Sequence, residues 1–159
     1  MDDDADEGTT EAGECGGPGL LRAVDSVQLP VPDLDVALRF YRDGLGQELV
    51  WRTATAAAVR LPGSEAELVL QVERPEPEVD LLVASVDDAV RAVVRAGGSV
   101  VAGPFDLTVG RAARVADPFG TVLTLVDLTR GRYATAPDGT VTGLDRAAAH
   151  PARPPADEA

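Results

Sequence analysis

Hydrophobic positions along the chain change period in a fixed order, and the order occurs twice. Residues 26–31 read as a short strand, and Pro30 within it points to an edge or a bulge. In "PDLDVALRFYRDG" the apolar Leu34, Ala37, Leu38 and Tyr41 fall at helical spacing, which predicts a helix capped by Asp33 and ended by Gly44 and Gly46. Strands follow at about 48–53, 56–60 and 67–72, with a Pro62-Gly63-Ser64 turn between the last two. "ERPEPE" makes a stiff link, and the pattern restarts. Residues 79–84 read as a strand. Ser85 caps a helix over "VDDAVRAVVRA", Asp88 gives a near capping box, and Gly97-Gly98 stops it. Strands at about 99–102, 111–116 and 121–127 complete the set.

The two halves also align directly. "VPDLDVALRFYRDGLG" lies on "VASVDDAVRAVVRAGG" at a constant offset of 52, matching Ala37 with Ala89, Arg39 with Arg91 and Gly46 with Gly98. This is an internal duplication of a βαβββ unit. One unit alone has a helix on one face of a four-stranded sheet and an uncovered second face. Two units side by side predict an α+β fold: a curved mixed sheet around a cleft, with the helices outside. The modules run over about 22–74 and 78–130, within a domain of 20–130. Residues 1–19 are acidic, Gly-rich and aperiodic, and are expected to be disordered. Residues 131–159 are expected to be a mostly irregular tail, with a small hairpin around Pro137-Asp138-Gly139.

Composition narrows the chemistry. A chain of 159 residues can build one domain with a real core. Its net charge is -13, and seven of its acids lie within residues 1–19. A mildly acidic domain offers no basic footprint for nucleic acid, and an anionic membrane would repel it. No apolar run reaches the ~20 residues of a membrane helix, and the acidic start lacks the pattern of a signal peptide, so a cytoplasmic protein is expected. Lys, Ile and Asn are absent, and every basic residue other than His is Arg, a compositional bias with little bearing on function. The single cysteine, Cys15, lies in the acidic head and reads as a free surface thiol. The single histidine, His150, lies in the tail. A domain without histidine has no Ser-His-Asp triad, no Cys-His pair and no two-His facial triad of the iron dioxygenases.

"VQLPVPDLDVALRFYRDGLG", "AGGSVVAGPFDLTVGR" and "ADPFGTVLTLVDL" together resemble the vicinal oxygen chelate superfamily: glyoxalase I, the bleomycin- and fosfomycin-resistance proteins, and the extradiol dioxygenases. The resemblance spans about residues 22–130. Its metal-dependent members carry one ligand on the first and one on the last strand of each module. Position by position, the resemblance implies Ser26, Gln71, Glu78 and Thr124 at those places. Ser26 and Thr124 are poor ligands, whereas Gln71 and Glu78 each offer one oxygen to a hard divalent cation. Gln28, Glu67, Glu73 and Asp80 share the parity of these positions. The best alternative metal set is Gln28, Gln71 and either Glu78 or Asp80.

Three functions are therefore open, all through the resemblance. The favoured one is a metal-independent small-molecule binder, like the drug-sequestering members, working as a homodimer. The second is a glyoxalase-type lyase or isomerase that uses Mg, Mn, Ni or Zn, or Glu78 as a general base raised in pKa by an apolar cleft. The third is an accessory module with a vestigial cleft. The expected binding cleft comprises Ser26, Gln28, Trp51, Gln71, Asp80, Arg114 and Thr124. Trp51 is the aromatic best suited to stack on a flat ligand. Arg111 and Arg114 fall on opposite faces of one strand, so one of them can enter the cleft. Phe40 and Tyr41 are expected to pack their helix on the sheet, and Phe119 to plug the "DPFG" turn.

Overall fold

A computed structural model describes residues 19–149, so Cys15, His150 and most of the acidic head lie outside the described residues. The strands are β1 (Ala23–Pro30), β2 (Leu49–Arg52), β3 (Ala56–Arg60), β4 (Glu67–Gln71), β5 (Glu78–Leu82), β6 (Ser99–Asp106), β7 (Arg111–Ala116) and β8 (Val122–Asp127). Helix α1 (Leu34–Leu38) follows β1, and α2 (Val86–Arg95) follows β5. All eight strands form one sheet in the order β2-β3-β4-β1-β5-β8-β7-β6. β4 runs parallel to β1 and β8 parallel to β5, while the remaining pairs are antiparallel. The expected α+β architecture of two βαβββ modules is present.

The register at the centre follows from the duplication. Val27 and Val79 are repeat equivalents and pair directly across β1 and β5. The pseudo-two-fold axis of the duplication therefore passes between them. On either side the equivalents cross over: Ser26 faces Asp80, and Gln28 faces Glu78. Pro30 is not on an edge, because β1 is central. Its missing N–H points to the β5 side, where pairing has already ended at Gln28 and Glu78. The bulge in β1 lies at the other end, between Val24 and Ser26.

Alternation divides the sheet into two faces. Leu70, Ala57 and Val59 meet Leu34, Ala37 and Leu38 of α1 in one apolar cluster. Ala113, Val115 and Leu125 meet Val86, Ala89 and Val90 of α2 in the other. The alternate residues, among them Ser26, Val69, Gln71, Asp80 and Thr124, face the opposite side, the inner wall of the cleft. Asp33 caps α1 by accepting from the Val36 N–H at 2.9 Å. After Leu38 the helix widens into π-helical turns over Arg39–Gly44. Tyr41 packs on the core, but Phe40 is 58% exposed. Phe40 lies off the stripe formed by residues 34, 37, 38 and 41, so the helix turns it outward. Phe119 is 90% exposed and plugs nothing. Its turn is held instead by Asp117 Oδ1, which accepts from the Phe119 and Thr121 N–H groups at 2.8 and 2.9 Å.

Ser85 caps α2 through a long, exposed bond of 3.3 Å from the Asp88 N–H. Ser85→Ala should therefore cost about 1 kcal/mol or less in urea unfolding. A larger loss would mean that this cap carries more of the helix than its geometry indicates.

Residues 131–149 are more regular than an irregular tail. β9 (Arg132–Thr135) and β10 (Val141–Asp145) form the hairpin expected around Pro137-Asp138-Gly139. At the turn Asp138 Oδ1 accepts from the Thr140 N–H at 3.0 Å, and Gly139 takes φ +88°. Gly139 also presses on Leu49, so a Cβ there would meet that side chain at 2.9 Å. The Arg52 N–H donates to the Gly139 carbonyl at 2.8 Å, which ties the hairpin to β2. Tertiary docking orders what local pattern left weak.

Candidate functional site

One row of side chains crosses the inner face of the sheet in register: Glu67 on β4, Ser26 on β1, Asp80 on β5, Thr124 on β8 and Arg114 on β7. Over the β4–β1–β5 part of this row lies a cavity of about 290 Å³. Ser26, Gln28, Gln71 and Asp80 line its floor, and Trp51 of β2 and Tyr133 of β9 line its side. The two rings lie 5.0 Å apart at 60°. The Trp51 indole N–H donates to Glu67 Oε2 at 2.8 Å.

Asp80 is the centre of the floor. It is 9% exposed. Its Oδ2 accepts from Gln28 Nε2 at 2.7 Å and from the Ser26 hydroxyl at 3.1 Å. Its Oδ1 is buried and has no hydrogen-bond partner. Burial pushes the carboxyl up to about 6, helped by the nearby charge of Glu78, while the bonds from Gln28 and Ser26 oppose the rise. Burial also raises Glu67, against the indole bond, and raises Asp25, against the charge of Arg132. Three of the four carboxyl groups that line the cavity are thus desolvated.

Glu78 and Thr124 lie elsewhere. With Arg114 they line a second recess, separated from the first by Arg74, which touches both. Arg74 donates to Gln28 Oε1 and pairs with Glu78 Oε2 at 3.1 Å, and the Thr124 hydroxyl donates to Glu78 Oε1. Both Glu78 oxygens are therefore occupied, one by a guanidinium and one by a hydroxyl. Arg111 takes the opposite face from Arg114 and pairs with Asp87 and Asp106 at 3.2 and 2.8 Å.

The implied metal positions do not fit an ion. Gln71 Oε1 accepts from the Glu73 and Arg74 N–H groups at 2.8 and 2.7 Å, and its Nε2 donates to the Arg74 carbonyl at 2.8 Å. Gln71 is thus spent on shaping the turn after β4. Ser26 gives its proton to Asp80, and Glu78 is held by Arg74 and Thr124. The alternative set fares no better, because Gln28 Oε1 is taken by Arg74. An ion would have to compete with the chain's own bonds at every one of these ligands but Asp80 Oδ1. Among the described residues no cluster of three His, Cys, Asp or Glu side chains is placed to hold one.

Sequence reasoning did not anticipate four residues that line the floor or its mouth: Asp25, Arg74, Arg132 and Tyr133. Asp25 has the wrong parity beside Ser26, and the bulge after Val24 accounts for both reaching the cavity. Arg74 lies in the link between modules, and the other two lie in the supposed tail. Only the link's single Arg among acids gave any signal. Among the described residues no helix is long and apolar enough to cross a membrane.

The model of the Glyoxalase/Bleomycin resistance protein/Dioxygenase superfamily matches residues 23–125. No curated protein matches the sequence. Among solved structures, methylmalonyl-CoA epimerase from Mycobacterium tuberculosis is similar at 24% identity and a TM-score of 0.59, over 69% of this chain and 90% of that one. A methylmalonyl-CoA epimerase in complex with methylmalonyl-CoA and ammonium is similar at 20% identity and a TM-score of 0.54, over 67% and 94%. A variant of homoprotocatechuate 2,3-dioxygenase from B. fuscum is similar at 23% identity and a TM-score of 0.52, over 81% of this chain and 35% of that one. At these identities the likeness is one of fold.

Proposed function

Because the chain belongs to the Glyoxalase/Bleomycin resistance protein/Dioxygenase superfamily, we propose that it uses the cleft of that fold to bind a small organic molecule without a metal ion. One observation carries this reading. The side chains at the family's ligand positions are committed to internal hydrogen bonds, while Asp80, whose buried Oδ1 has no partner among the described residues, lines a cavity. A volume of about 290 Å³ beside Trp51 and Tyr133 suits a compact ligand with a flat apolar part. The homodimer implied by the family resemblance belongs to the same proposal, and light scattering tests it.

A second reading keeps the site enzymatic. A buried carboxyl near neutrality, as Asp80 is, suits a proton-transfer step of lyase or isomerase type better than the ion-paired Glu78 does. In that case turnover would vanish in Asp80→Asn and persist in Glu78→Gln.

The first test is thermal unfolding with and without Mg²⁺, Mn²⁺, Ni²⁺, Zn²⁺ or chelator, followed by a screen of small molecules. No shift with any ion, and stabilisation by at least one organic compound, is the expected result. One ion bound per chain with a clear stability gain would overturn the metal-free reading. A screen with no stabilising compound would overturn the binding reading.

A further inference from the structure

We infer that the ligand of this cleft is an organic monocation, a protonated amine on a flat apolar body, with its charge beside the Asp80 carboxylate and its ring against Trp51. This rests on the small-molecule reading above and names the class of molecule. Asp80 is more than nine-tenths buried, and its Oδ1 lacks any donor among the described residues. A buried carboxylate oxygen without a donor is costly, and a ligand N–H of positive charge removes that cost better than a neutral one. The charges around the cavity agree. Asp25, Glu67, Glu73 and Asp80 line it against Arg74 and Arg132. Arg74 is engaged by Glu78 and Gln28, and Arg132 acts on Asp25 and Glu67. Among the described residues no guanidinium is hydrogen-bonded to Asp80, whose Oδ2 takes the neutral donors Ser26 and Gln28. An anionic ligand would meet uncompensated carboxylates on the floor. The indole of Trp51 is fixed by its bond to Glu67 and forms the adjacent wall, where a cation and its ring gain from a π-face.

The test compares three indoles of nearly equal shape by calorimetry: tryptamine, tryptophol and indole-3-acetate. Tryptamine should bind at pH 8 at least about ten-fold more tightly than the other two. Its amine stays protonated at pH 5, so a loss of affinity there reports the protein's carboxyl groups. Those near Asp80 are Glu78 on its own strand, Asp25 on β1 and Glu67 on β4, while Thr124 on β8 carries no charge. Asp80→Asn should remove the preference for tryptamine, and Glu78→Gln should leave it. If tryptophol or indole-3-acetate binds as well as tryptamine, or if Asp80→Asn leaves tryptamine unaffected, the cation inference is overturned while the small-molecule reading stands. If no indole binds, this inference is again overturned, and the small-molecule reading is decided by the wider screen.

Discussion

Asp80→Asn should make the protein more stable at pH 8 and flatten its stability against pH. The Asp80 carboxyl stands at about 6 in the fold, against 3.8 as an ordinary aspartate. A group raised in this way favours the fold while it is protonated. Its contribution is full below pH 3.8 and is lost as the pH rises through about 6. The shift corresponds to about 3 kcal/mol. The natural protein should therefore lose about that much between pH 4 and pH 8 through this one group. Asparagine keeps an oxygen for Ser26 and Gln28 but leaves a buried amide unpaired, so the net gain at pH 8 should be about 1–2 kcal/mol. Urea unfolding of both proteins across this range measures it. Asp25 and Glu67 titrate in the same direction but are present in both proteins, so the difference curve reports Asp80 together with its coupling to Glu78 and Asp25. Parallel curves would show that Asp80 is not desolvated as described.

The direction of that effect bears on function. A residue whose removal stabilises the fold is costly where it stands, and such groups collect at sites that await a partner. A bound cation beside the carboxylate would offset the cost, so ligand and substitution should each stabilise the protein but not add. The same carboxyl thus connects the packing of the floor with the selectivity of the cleft.

Much of the fold was legible because the duplication states it twice. The period change at Leu34 and Val86, the caps at Asp33 and Ser85 and the offset between halves are local signals, and each element formed within a few residues of its expected place. The row through Ser26, Asp80 and Thr124 was less legible, since it depends on register between strands far apart in sequence. A local pattern gives parity but not which residue stands opposite which. The commitments of Gln71 and Glu78 were not legible at all. They arise from Arg74 and from backbone N–H groups in a six-residue link whose path is set by tertiary structure. Tyr133 and Arg132 were missed because a two-stranded hairpin has little stability of its own and gains order from docking on β2.

Asp127→Ala should be among the most destabilising single changes, at about 3–5 kcal/mol. Asp127 ends β8 and is 3% exposed. Its Oδ2 accepts from the Val86 N–H of α2 at 2.9 Å, and its Oδ1 accepts from the Arg111 N–H at 3.0 Å and the Thr129 hydroxyl at 2.8 Å. One carboxylate therefore joins the start of α2, the start of β7 and the end of β8. Gly110 is packed so closely behind it that a Cβ there would lie 2.2 Å from the Asp127 carbonyl oxygen. Alanine would strand the Val86 and Arg111 amides and remove a negative charge from the helix N-terminus. Asp127→Asn, which keeps one accepting oxygen, should recover part of the loss. Urea unfolding beside Ser85→Ala gives the comparison, since both residues cap the same helix, one buried and one exposed. A loss from Asp127→Ala no larger than that from Ser85→Ala would mean that water reaches this corner. A loss several times larger would place the anchor of the second module's outer helix on the last residue of the strand that pairs with β5, and so on the same framework that holds Asp80 in the cleft.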